Sequence, residues 1–199
     1  PPLTLAGRLV GAGDAVRSEA LRLEVAGQPI ALDVGVAPLS GAPVGTLVAS
    51  GRGIETSALL GAFSKSAAEV SGPLRFDAQF RAPLAGAKPL LQVVNGTLDF
   101  TIAPGRFRGV SMLKDTIERS GPVVQAAVAA GQAFGGRDVK RMYSDEFQSL
   151  SANARVAGGI ATFDPLRVVH AAHRVDVQGR VNLATRALDA SGQIVFPNE

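Results

Sequence analysis

Two histidines, five isolated aspartates and two glycine-rich turns are the residues whose types and spacing invite chemistry. His170 and His173 stand three apart in Val169-His170-Ala171-Ala172-His173-Arg174. Read as strand residues, an odd spacing sends the two rings to opposite faces, and no carboxylate stands where it would complete a metal-ligand set. They read as ordinary strand histidines near a sheet edge. Asp33, Asp77, Asp99, Asp176 and Asp189 each sit singly among apolar residues at strand spacing. Such positions face outward and keep sheet edges soluble; a hydrolytic carboxylate pair would need distant strands to be brought together. Gly11-Ala12-Gly13 and Gly51-Arg52-Gly53 lack the remaining residues of a dinucleotide or phosphate loop and read as turns. Ser144 and Ser149 have no G-x-S-x-G setting. Asn95-Gly96-Thr97 is formally a glycosylation triplet, but reads better as a hairpin turn. The chain has no cysteine, which removes disulfides, thiol catalysis and cysteine-built zinc sites. The expectation is a non-enzyme with no catalytic residue, no metal and no cofactor.

The elements that carry these residues follow from patterning. Over 199 residues, 46% are apolar but only 5% are aromatic, so the interior must be built of thin aliphatic layers. The 23 glycines and 12 prolines are spread along the chain, which suits many short strands with tight turns. Twenty basic residues against 17 acidic leave a net charge of +3, and no basic run is present that would track a nucleic acid. No apolar run reaches the roughly 18 to 20 residues that a membrane-spanning helix needs. The chain opens at Pro1 with no initiator methionine and no signal-peptide pattern, and so reads as a piece of a longer protein.

Alternation predicts strands over 3–10, 20–26, 30–36 and 44–50, joined as successive hairpins. Glu55-Thr56-Ser57 can cap a short helix through Leu59, Leu60 and Phe63. Strands resume over 74–82, 90–94 and 97–103. Residues 110–134 carry the main helical pattern, broken at Ser120-Gly121-Pro122, with Leu113, Ile117 and Val124 on its apolar side. From Phe147 to Phe196 the chain reads as four or five short strands. There Val175-Asp176-Val177-Gln178-Gly179-Arg180-Val181 alternates strictly, with one glycine on the apolar side. Leu5-Ala6-Gly7-Arg8-Leu9 echoes Val177-Gln178-Gly179-Arg180-Val181, as a sheet reiterating one hairpin unit would.

Three pieces of the chain, in this order, carry a family resemblance. The first is Gly96-Thr97-Leu98-Asp99-Phe100-Thr101-Ile102 leading through Gly105 and Gly109-Val110 into the helix at 111–119. The second is Phe147-Gln148-Ser149-Leu150-Ser151-Ala152, then Val156 and Gly158-Gly159-Ile160-Ala161. The third is Val177-Gln178-Gly179-Arg180-Val181-Asn182-Leu183 with Leu188-Asp189. Together they resemble the C-terminal region of the AsmA-like bacterial envelope proteins. The resemblance covers about half the chain, from Asn95 onward; residues 3–94 share its strand-rich character. It implies a β-groove that holds or conducts lipid, in a periplasmic protein anchored to the inner membrane by a segment absent from this chain, with a part in outer-membrane lipid homeostasis.

The expected architecture is therefore mainly β (α+β) and single-domain over 1–199. Hairpins and a short helix occupy 1–94, and the AsmA-like region 95–199 carries the helix at about 110–134. Repeated hairpins form a long curved antiparallel sheet, and the broken helix packs on its concave face or end. Phe76, Phe80, Phe100, Ile102, Val177 and Val181 are expected to line the groove for phospholipid or another acyl-chain lipid, with Leu113, Ile117 and Val124 closing it. The alternative is a scaffold or assembly factor that docks another envelope protein and has a closed, packed core.

Overall fold

The computed structural model describes residues 3–63, 70–107, 145–171 and 173–196. It is mainly β. Ten strands form one antiparallel sheet: β1 (Leu3–Ala12), β2 (Ala15–Val25), β3 (Gln28–Ala37), β4 (Val44–Glu55), β6 (Pro73–Pro83), β7 (Asn95–Ile102), β10 (Ser149–Ala157), β11 (Ile160–Val169), β12 (Arg174–Asn182) and β13 (Leu188–Val195). They pair in that order with no crossover, so β1 and β13 are the two edges and the sheet does not close into a barrel. Three short strands, β5 (Val70–Ser71), β8 (Gly105–Phe107) and β9 (Glu146–Phe147), make a second antiparallel sheet in the order β5-β8-β9. Two helices are described, α1 (Thr56–Phe63) and α2 (Leu90–Val93).

Because every long strand is antiparallel to the next, connections alternate between the two ends of the sheet. One end holds the β2–β3 turn, α1, the small sheet and the β11–β12 turn. The other holds the β1–β2 turn, the 38–43 and 84–94 loops, and the turns at 158–159 and 183–187. The core concentrates at the first end, where Val25, Ile30, Ile54, Leu74, Ile102, Leu150 and Val168 form one cluster with Phe107 and Phe147 of the small sheet. Val25 and Ile54 are fully buried there and Val168 is 1% exposed. Leu59 of α1 and Val70 of β5 pack onto this cluster. α1 starts where Glu55 takes the Ser57 amide and hydroxyl and the Gly72 amide on its carboxylate, fastening the helix start to the following strand.

Two local expectations change. Residues 90–94 are not a strand: Gln92 N–H donates to Pro89 O and Val94 N–H to Leu90 O, which closes one helical turn. A run of five mostly apolar residues does not distinguish strand from helix by period. The backbone around Leu91 and Gln92 lies so close to Gly159 that a Cβ there would stand 2.1 Å from Leu91 O. Consequently Asn95-Gly96 is not a hairpin turn. It opens β7, with the Asn95 amide donating to Val93 O and its Oδ1 accepting from Gly158 N–H. The helix expected at about 110–134, with Leu113, Ile117 and Val124, lies outside the described residues.

Candidate functional site

Directly opposed residues in an antiparallel ladder point to the same face, so register alone assembles the largest feature of the molecule. Leu5 stands opposite Leu23, Leu23 opposite Ile30, Ile30 opposite Gly51 and Gly51 opposite Phe76. Phe76 faces Phe100, and Phe100 faces Ala152. Past an irregularity in the β10–β11 pairing, the same face continues through Leu166 and Val177 to Gly192. A neighbouring row runs Leu32, Ala49, Ala78, Leu98, Ala154 and Phe163. One face is therefore aliphatic and aromatic from β1 to β13. The opposite face carries Arg22, Asp33, Ser50, Asp77, Asp99, Asn153, Arg167, Asp176 and Gln193 in the alternating positions.

The apolar face is thin by construction. The Phe76 ring covers Gly51, where a Cβ would meet ring carbon Cε1 at 2.8 Å, and the Phe80 ring covers Gly96, at 2.5 Å from Cδ1. Alanines 49, 78, 152 and 154 line the middle strands. Aromatic rings folded over cross-strand glycines keep the rows well paired while lowering the relief of the surface.

All six groove residues expected from patterning stand on this one face. Phe76, Phe80, Phe100, Val177 and Val181 are half-buried, whereas Ile102, at 4% exposure, belongs to the packed end. Sequence reasoning missed the share contributed by β2–β4: Leu23, Leu32, Val34 and Leu47 face the same way. Their alternation was visible, but their side relative to Phe76 follows only from the pairing of β4 with β6. At the two rims Leu5 is 64% and Leu188 65% exposed.

The polar face brings two expected aspartates together. Asp77 and Asp99 are register partners across β6 and β7. Arg75 Nε lies 4.0 Å from the Asp77 carboxylate and the Asn153 amide donates to Asp99 at 3.1 Å. Both carboxylates are exposed, on an open face, so the pair has no enclosed volume in which to hold a substrate. Asp176 departs from its expected outward, solvated role. It is buried beneath two arginines, with Arg167 Nε donating to Oδ1 at 2.8 Å and Arg174 Nε forming an ion pair with Oδ2 at 2.9 Å. The hydrogen bond from Arg167 and the adjacent positive charges outweigh burial and hold its carboxyl below the usual range. The echoed pentapeptides share one polar contact: Arg8 pairs with Glu19 and Arg180 with Asp189, each its register partner.

His170 and His173 also differ from the sequence expectation. They lie not within a strand but in the turn between β11 and β12, closed by His170 N–H donating to His173 O at 2.8 Å. The turn puts both rings on the same side, stacked at 4.4 Å between centroids and 14° between planes, and both are buried. Beside them a pocket of about 850 Å³ opens between α1, the small sheet and the turn, lined by Glu55, Ser57, Arg106, Glu146, Phe147 and Ala171 among others. No group of three or more histidine, cysteine, aspartate or glutamate side chains stands close enough to hold a metal ion among the described residues. No described helix is long and apolar enough to cross a membrane.

No family model, curated protein or solved structure matches this chain.

Proposed function

We propose that the apolar face of the ten-stranded sheet binds or guides lipid acyl chains without catalysis. The observation that carries this reading is the apolar face that runs by register from Leu5 on β1 to Ala152 on β10 and, past the irregularity between β10 and β11, from Leu166 to Gly192 on β13, on a sheet whose edges do not meet. Such a surface recognises methylene chains by burial, worth about 0.8 kcal/mol per CH₂. Among the described residues, its register rows present no charged side chain. Phe76, Phe80, Phe100, Val177 and Val181 line the working part of the face, with Ile102 marking where it passes into the packed end.

The resemblance of 95–199 to AsmA-like proteins supports the same reading. It adds a periplasmic location, anchorage to the inner membrane through a segment beyond this chain, and a part in outer-membrane lipid homeostasis. Native mass spectrometry after mild detergent extraction tests the proposal: co-purifying phospholipid supports it, and a lipid-free particle with no affinity for added phospholipid overturns it. A second reading, a scaffold for another envelope protein, is favoured by the two sheet edges, since an edge strand presents backbone donors and acceptors to a partner strand. A lipid-free particle that captures a partner through β1 or β13 would establish it.

A further inference from the structure

We propose that the stacked His170–His173 pair is an acid-sensitive latch that holds the small sheet against the end of the large one. The pair joins three parts of the chain. His170 Nδ1 lies 2.9 Å from the backbone carbonyl of Glu146 on β9, so this nitrogen carries the proton and donates. The Phe107 ring of β8 lies 6.5 Å from His170 and 4.7 Å from Phe147, while Phe196, just past β13, lies 6.1 Å from His173. An aromatic row thus runs from the small sheet through both imidazoles to the end of the last strand. Gln148 N–H donating to Val169 O at 2.7 Å closes the same junction.

Protonation works against this arrangement. His173 is 4% exposed and its Nδ1 has no hydrogen-bond partner, so a second ring proton would be buried without an acceptor. Charging both rings would also set two like charges against each other across the stack. Among the described residues, the groups around the pair offer little compensation. From β9, Glu146 presents its carbonyl and turns its carboxylate to Arg106; from β12, the Arg174 guanidinium is engaged by Asp176; β8 and the end of β13 present phenylalanines. Burial lowers the affinity of both imidazoles for protons, and for His173 the neighbouring His170 adds to it.

A group whose folded pKa is depressed binds fewer protons folded than open. The latch is therefore intact above the ordinary histidine value of about 6.5 and weakens as pH falls below it. Opening linked to one proton favours the open form by up to about ten-fold per pH unit in that window.

The test is amide hydrogen exchange of the whole chain between about pH 7 and pH 5, corrected for intrinsic exchange, alongside NMR titration of the two rings. Amides of Phe147, Gln148 and His170 should lose protection roughly ten-fold per pH unit while those of β3 and β4 do not. Both rings should titrate below the ordinary range. His173→Phe, which keeps a stacked ring that cannot titrate, should reduce the pH dependence to the part His170 contributes. Should that variant fail to fold, the wild-type exchange and ring titrations decide alone. Junction amides that stay protected through the acid range, or rings that titrate at the ordinary value, would overturn the latch.

Discussion

The ring of Phe76 lies across its register partner Gly51, with Cε1 2.8 Å from where a Cβ on that glycine would stand. The contact is made on the apolar face, toward the packed end of strands β4 and β6. It couples the smoothness of that face to the pairing of two strands distant in sequence.

Gly51→Ala meets mainly the far end of a side chain, since the ring of Phe76 and Ile54 Cγ1 can shift. Its expected cost is about 1 kcal/mol. Gly96→Ala meets backbone, with Gln79 O at 2.0 Å and Phe80 Cα at 2.9 Å. Strands must part to admit it, and the expected cost is roughly 2–3 kcal/mol. Urea unfolding of the two variants checks the order; equal costs would mean that the β6–β7 ladder gives as readily as a ring.

Asp77→Asn should stabilise the protein, by up to about 0.5 kcal/mol, because like charges directly opposite on a ladder are destabilising. The gain should shrink at high salt, as exposed charges are screened. Thermal unfolding at low and high ionic strength reads both effects. A loss of stability at low salt would show that the Arg75 contact outweighs the repulsion from Asp99.

Asp176→Ala leaves Arg167 and Arg174 without their shared carboxylate, at an expected cost of about 2 kcal/mol near neutral pH. The sign of its pH dependence follows from the depressed folded pKa. The wild-type contribution is complete above the unfolded value of about 3.9 and is lost as pH falls through the folded value. The stability difference between wild type and variant, measured by urea unfolding, should therefore narrow in acid; a constant difference would assign the loss to packing alone.

Much of this architecture was legible in alternation. Leu21, Leu23 and Val25 against Arg22 and Glu24 specify one face of β2, and Val175, Val177 and Val181 specify one face of β12. The start of α1 was legible in Glu55-Thr56-Ser57. What escaped depended on contacts between distant segments. The helical turn at 90–93 depends on the close approach at Gly159, and the burial of Asp176 on Arg167 across the ladder. The His170–His173 stack escaped because strand periodicity was carried one turn too far, past the end of β11 at Val169. Two- and three-residue strands such as β5 and β8 have too few positions to display a period at all.

Photo-crosslinking from adjacent positions of β12 tests the lipid-binding account most directly. Val177 lies on the apolar face opposite Leu166, while its neighbour Gln178 lies on the polar face. With a photoreactive residue placed at one or the other, protein incubated with phospholipid vesicles should form lipid adducts from position 177 and from 181, and few or none from 178. Equal labelling from 177 and 178, or none from 177 in a folded protein, would contradict an apolar face that receives acyl chains.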